Sequence, residues 1–314
     1  MAFFEEKRAT DISLDNVIDS LYPFFPDISE NDIKFFYHGT YNVFEVKNQF
    51  IFRIPDKHFR NIDGVRLIQN EVKMLYHIQK YVSVSIPEPI YISLEEDCPL
   101  MGYEKIEGSP LSKCFYKASK DQKIKIAKEI GIFLSELHSN ELFQEALKNK
   151  IVDNVFSCEK YKKDWQKFFE EIQKTVFHVL NSAQRKWITN LFDKFLNNEK
   201  NFDFKYTIIH GDFDISNIIV NPKTFKITGI VDFEESRIYD PAVDFLFYDE
   251  GNIFLRNILS TYKGHMDANF EYRMKFLYGW SFLAYIEFGM KNNLPDMIEA
   301  GFQLSKIKMD RFPS

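Results

Sequence analysis

Between Ile208 and Val220 the chain reads IIHGDFDISNIIV, two β-branched runs separated by a histidine, two aspartates and an asparagine. β-branched side chains suit a pleated, half-buried surface, whereas small acceptor side chains favour turns over continued strand. The stretch is therefore strand, loop, strand. A further run, KITGIVDF, follows the turn NPKTFK, so SNIIVN and KITGIVDF form a hairpin. On this reading His210, Asp212 and Asn217 lie on the loop entering one strand and Asp232 ends the next. Antiparallel pairing then brings Asn217 and Asp232 to the same end of the hairpin.

The chain on either side differs in kind. In KFFYHGTYNVFEVKNQFIFRIP, aromatic and β-branched runs are broken at His38-Gly39 and Lys47-Asn48, which predicts an antiparallel meander. From Gly64 to Val82, the apolar residues Val65, Ile68, Val72, Leu75 and Ile78 fall at helical spacing, with Glu71 at the edge of the stripe. SIPEPIYISL reads as an extended segment entering a strand, since each proline biases its predecessor away from helix. After PLMGYEKIEGSPL, helical patterns dominate at 121–139, at 159–199 and beyond 241. The expected architecture is α+β: an antiparallel-sheet lobe with one helix over residues 1–102, a connector over 103–108, and a larger, mostly helical lobe over 109–314 carrying the hairpin.

The composition narrows the partners. With 40 basic and 46 acidic residues the net charge is −6, which disfavours nucleic acid and suits a cationic or neutral small molecule. No apolar run approaches the ~18 residues of a membrane span. MAFFEEKRATDISLD has no apolar core of a signal peptide, and Cys98, Cys114 and Cys158 form no metal or redox pair. A cytoplasmic protein is expected.

Oxygen ligands from one carboxylate and one carboxamide, Asp232 and Asn217, suit Mg²⁺, which keeps waters and is completed by substrate phosphates. Asp212 is then left to accept a proton or orient a hydroxyl. His210, Asp212 and Asn217 stand in H-x-D-x-x-x-x-N spacing with an Asp-Phe pair following, the catalytic-loop and metal-aspartate arrangement of kinases.

The block HGDFDISNIIVNPKTFKITGIVDFEESRIYDPAVDF resembles the signature of the aminoglycoside phosphotransferases, a kinase-like family that includes macrolide and choline-type kinases. FIFRIP, NEVKMLYHI, GYEKIEGSPLS and FLSELHS follow in the expected order, so the resemblance covers most of the chain and is greatest to the 2''-aminoglycoside enzymes. It implies a two-lobed, protein-kinase-like fold, with Asp212 as base, Asn217 and Asp232 as magnesium ligands and His210 as a brace of the loop. Asp240 and Asp244 match a structural pair. It further implies transfer of the γ-phosphate of ATP or GTP to a small-molecule hydroxyl, the 2''-hydroxyl of an aminoglycoside first. A macrolide, choline-like amine or sugar metabolite is the alternative acceptor, and an inactive nucleotide-sensing module is the alternative from another class.

On the nucleotide side, Arg53 in FIFRIP stands where protein kinases place a lysine, with Glu71 as its partner; an ordinary ion pair is the plainer reading of the two. Gly39 and Thr40, with the amides of Tyr41 and Asn42, are candidates to cap phosphates. Backbone at Glu104 and Ile106 would bind the base, with Tyr103 beside it. For the acceptor, Asp212, Glu235 and Glu250 supply carboxylates and Trp280 an aromatic wall, although Trp280 also fits a helical core stripe. Two departures stand out: DFE replaces Asp-Phe-Gly, and KFLYGWSFLAYIEFGM is aromatic and nearly neutral where more acid is expected.

Overall fold

The computed structural model describes residues 9–152 and 156–312. Five antiparallel strands make the first sheet: β1 (Ile33–His38), β2 (Tyr41–Val46), β3 (Phe50–Pro55), β4 (Pro89–Ser93) and β5 (Leu100–Glu104), in the order β1-β2-β3-β5-β4. Lys47 and Asn48 both have positive φ, the geometry a tight hairpin turn requires between β2 and β3. All of β3 is buried, yet its period of two still sorts the side chains. Phe50, Phe52 and Ile54 join one core with Phe44, Val46 and Leu100; Ile51 faces the other way, with Met101 and Tyr103. Arg53 shares the face of Ile51.

Among the described residues the small lobe has two α-helices, where the periodicity of the sequence predicts one. Helix α1 (Leu14–Leu21) is capped by Ser13, whose hydroxyl accepts from the Asn16 amide, and it buries Val17 and Leu21 against Phe52 and its neighbours. It closes the outer face of the sheet. Helix α2 (Ile62–Ile78) covers the inner face, capped by Asn61, and carries Glu71 inward. The strand β5 runs through Tyr103 and Glu104, which pair with Ile51 and Phe50. The sheet thus extends into the segment expected to connect the lobes.

Beyond it come β6 (Ser109–Pro110), the short α3 (Leu111–Cys114), then α4 (Lys120–Leu137), α5 (Asn140–Lys148), α6 (Cys158–Thr175) and α7 (Ser182–Leu196). Strands β7 (Thr207–Ile209), β8 (Ile218–Val220), β9 (Ile227–Ile230) and β10 (Arg237–Tyr239) follow, and the chain closes with α8 (Asn252–Thr261), α9 (Phe270–Trp280), α10 (Phe282–Lys291) and α11 (Pro295–Arg311). The hairpin expected from the sequence is β8–β9, with β6 on its other edge; β7 pairs instead with β10. The pattern at 159–199 resolves into two helices, α6 and α7. The Ile230 amide donates to the Ser85 carbonyl at 2.9 Å, so the loop after α2 is bonded directly to the hairpin. No helix of the described residues is long and apolar enough to cross a membrane.

Candidate active site

The loop from His210 to Asn217 is held from below by a buried anion. Asp244 is fully buried and accepts from the amides of His210 at 2.7 Å and Gly211 at 3.0 Å, and from His138 Nε2 at 3.0 Å. Burial opposes its ionisation, but these donors outweigh it and hold the carboxyl below its ordinary value. Gly211 has φ +93°, and a Cβ there would stand 2.5 Å from the Glu235 carbonyl oxygen. Only glycine lets the two loops approach so closely. The other member of the expected structural pair, Asp240, caps the turn at Ala242 and holds the fully buried Arg273 at 2.8 Å, while Asp267 takes the other side of that guanidinium.

His210 is fully buried and its Nε2 lies 3.0 Å from the Val231 carbonyl, so that nitrogen carries the proton. Nδ1 is buried with no hydrogen-bond partner, and burial holds the ring pKa below its ordinary value. The ring is a neutral brace between the two loops. Asp214, next along, accepts from the amide and hydroxyl of Ser216 at 2.6 and 2.5 Å, a side-chain turn that gives it a local structural task.

The Asn217 carboxamide donates from Nδ2 to the Asp212 carbonyl at 2.7 Å, leaving its oxygen as the end suited to a cation. The Val231 amide donates to the Asn217 carbonyl at 3.0 Å, extending the β8–β9 ladder by one rung. Asp232, one residue further, sits two residues past the end of β9 with φ +71°. That left-handed conformation, uncommon for a residue with a Cβ, turns its carboxylate off the strand. Asn217 and Asp232 are thus brought to one end of the hairpin. The Asp212 side chain is exposed to solvent, with three other carboxylates, Asp214, Asp232 and Glu235, acting on it. Burial, then the charges of Asp214, Asp232 and Glu235, push its carboxyl up to about 7.

On the small-lobe side, Arg53 is 5% exposed. Its Nη1 donates to Glu71, and its Nη2 donates to Asp232 at 2.9 Å and to Glu234 at 2.7 Å. The guanidinium also lies over the Tyr41 ring, 4.1 Å from the centroid. One cation thus serves three carboxylates. Burial first, and then the neighbouring acids, raise the Glu71 and Glu234 carboxyls above their ordinary values, with Arg53 opposing the rise in both. Three carboxylates around one guanidinium give the site negative charge in excess. Such a site, with a carboxamide and a carboxylate brought to one end of a hairpin, fits a hard divalent cation.

The remaining expected residues spread around this centre. β2 lies between β1 and β3, where Tyr41 pairs with Pro55 and Asn42 with both Ile54 and His38, so the tip expected to cap phosphates, Gly39 and Thr40, directly precedes the strand. The Gly39 amide itself donates to the Tyr41 carbonyl at 2.9 Å. Glu104 and Ile106 line a recess of about 760 Å³ with Ser85, Glu88 and Thr228. Glu235 pairs with Arg237 at 2.6 Å at the surface. Glu250 is half-buried just before α8, and burial raises its carboxyl.

Trp280 is placed differently from the aromatic wall expected of it. Its ring packs at 5.1 Å on Trp165 and 5.0 Å on Phe168 of α6, and its Nε1 is buried without a partner. The end of α9 turns it into the helical lobe. Tyr285 of α10 is an aromatic residue near the loop of Asp212, its phenol raised by burial and then by the charges of Asp212 and Asp214. Neither Tyr285 nor Glu234 emerges from the sequence alone. The one signal of Glu234 is an acid where kinases carry glycine.

A five-stranded sheet lobe, a helical lobe and a loop–hairpin site between them define a kinase-like fold. The chain belongs to the phosphotransferase enzyme family, whose model matches residues 32–257. It is similar in structure to the GDP complex of wild-type aminoglycoside 2'-phosphotransferase-IIIa, with TM-score 0.82 and 22% identity over 96% of this chain and 100% of that one. The GDP and kanamycin complex of APH(2")-IIia has TM-score 0.81 and 22% identity over 94% and 99%. The macrolide 2'-phosphotransferase MphH from Brachybacterium faecium has TM-score 0.69 and 16% identity over 93% and 98%. Among curated proteins, acyl-CoA dehydrogenase family member 11 of Gallus gallus is 23% identical over 184 residues, 57% of this chain and 22% of the relative's length. The chain thus aligns with about a fifth of that relative.

Proposed function

We propose that this phosphotransferase moves the γ-phosphate of ATP or GTP, in its magnesium complex, to a hydroxyl of a small cationic molecule, with the 2''-hydroxyl of an aminoglycoside as the first candidate. The observation that carries the reading is the placement of Asp212. Its carboxyl lies on the loop that Asn217 ties down, beside the hairpin end that presents Asp232.

The division of labour follows from these positions. Asp212, with a carboxyl pushed up to about 7, accepts the proton of the attacking hydroxyl as the new O–P bond forms, and the β–γ bridging oxygen leaves with the nucleoside diphosphate. Asn217 Oδ1 and the Asp232 carboxylate would hold Mg²⁺, whose chemistry here is to neutralise the phosphates and the charge that develops on the leaving oxygen. Arg53, positioned by Glu71 and Tyr41, points its fork at the same region and orients the donor. Gly39 and Thr40 cover the phosphates, and the backbone at Glu104 and Ile106 meets the base. His210 keeps the catalytic and metal loops in register. Asp212, Asp214 and Glu235 give the acceptor side its negative charge, which favours a polycation. The likeness to a kanamycin complex supports the same class of acceptor.

A second reading, a kinase for a macrolide or another alcohol, is favoured by the aromatic character of α9 and α10 and by the likeness to the macrolide enzyme. Steady-state kinetics over a panel of aminoglycosides, macrolides and choline-like amines, each with ATP and GTP, separates the two. Turnover confined to an acceptor outside the aminoglycosides would remove the antibiotic assignment and leave the phosphotransferase chemistry.

A further inference from the structure

Both terminal nitrogens of the Arg53 fork are taken by carboxylates. Glu71 holds Nη1, and Asp232 and Glu234 share Nη2, while the flat face rests on Tyr41. A nucleotide phosphate that takes Nη1 or Nη2 does so in competition with these acids. They differ in how readily they move. Glu71 is 4% exposed and fixed on the inner face of α2. The Asp232 carboxylate is aimed by its own left-handed backbone directly after the ladder to Asn217. Glu234 has the longer side chain, lies in the loop between β9 and β10, and retains 20% of its side-chain surface in contact with solvent. The Thr40 side chain, at the tip of the β1–β2 hairpin, approaches the same carboxylate. Glu234 therefore bridges the two groups, Arg53 and Thr40, between which phosphates would sit.

We infer that Glu234 is a phosphate mimic that competes with the donor nucleotide for Arg53 and Thr40, and so sets donor affinity. The inference rests on the reading of this cleft as the nucleotide site. The acid at this position is the departure from Asp-Phe-Gly in the sequence, and competition gives it a task. A carboxylate carries less charge than a triphosphate, so a full donor outcompetes it, whereas a single phosphate or a nucleoside binds poorly. The residue thus discriminates by the number of phosphates.

The test is calorimetric titration of the full chain with GDP and with ADP, in EDTA and again in magnesium, for wild type, Glu234→Gln and Glu234→Ala. Melting curves verify that each variant is folded. The expected result is binding tightened by about five-fold or more in EDTA for Glu234→Ala, where no metal contributes, with a smaller gain for Glu234→Gln, which keeps a neutral acceptor. Unchanged or weaker binding in EDTA overturns the inference. Weakening confined to magnesium also overturns it, because it makes Glu234 a metal ligand. If neither wild type nor variants bind either nucleotide, the reading of the cleft itself fails, and that outcome is distinct from wild-type binding without a gain in the variants.

Discussion

His210 Nε2 and the Val231 carbonyl oxygen, 3.0 Å apart, join the loop that bears Asp212 to the strand end that bears Asp232. His210 is fully buried, so its removal leaves the Val231 carbonyl without this partner, and a cavity opens between Phe213 and Phe233. Replacing His210 by Ala should lower stability by about 3 kcal/mol and kcat by roughly ten- to a hundred-fold. His210→Gln, which restores an N–H donor, should recover part of both; thermal melts and kcat measured on the two variants decide.

Asp212→Asn removes the proton acceptor while keeping the shape of the loop. The expected loss in kcat is about 10²–10⁴-fold, with nucleotide binding by calorimetry little altered. In the wild type, kcat/KM reports the free enzyme, and Asp212 must be ionised to act. With its carboxyl pushed up to about 7, the rate should rise with pH through the neutral range and fall about ten-fold per unit on the acid side. A profile flat between pH 5.5 and 8 would contradict the assigned role.

Arg53→Met strands Glu71, Asp232 and Glu234 together around an apolar side chain. Breaking a buried ion pair from one side costs about 3–5 kcal/mol, more than removing both partners, so Arg53→Met should be the less stable variant when compared with Arg53→Met/Glu71→Met. Chemical denaturation of the single variants and the pair measures the coupling.

Lys308 is 3% exposed, and its Nζ donates to the Tyr278 carbonyl at 2.7 Å and lies over that ring. Burial pushes its ammonium down to about 7. The unfolded chain, with an ordinary lysine at 10.5, therefore binds more protons than the native state between pH 7 and 10.5, and stability should rise with pH across that window. Below about 7 the cost of the buried charge is fully present. Lys308→Met should raise the melting temperature at pH 7 and flatten its pH dependence between 7 and 10; a lower melting temperature would mean that the bond to Tyr278 dominates.

Residue spacing made much of this site readable. The β-branched runs around His210, Asp212 and Asn217, and the turn before Asp232, dictate local strands whose pairing is nearly local too. The Arg53–Glu71 pair was legible because a strand and the next helix hold both. Glu234 was not legible, since its bond to Arg53 joins residues 181 apart in the chain. Helix α1 had a readable signature, Ser13 followed by Val17 and Leu21 at helical spacing, overshadowed by the aromatic runs that follow. Trp280 illustrates the reverse case: periodicity fits a core stripe and an exposed wall equally well, and only the position of α6 decides between them.

The bond from Ile230 to Ser85 ties backbone to backbone and has no rotamers to exchange, whereas Arg53 meets Asp232 and Glu234 through side chains that can let go. Together with the bonds of His77 to the Leu142 carbonyl and of Ser83 to Glu136, the first forms a fulcrum, whereas the Arg53 contacts form a latch. Rocking of the sheet lobe would open the cleft widest at the hairpin tip of Gly39 and Thr40 and barely move β9. The hairpin that ends in Asp232 would then keep its shape while the sheet lobe moves.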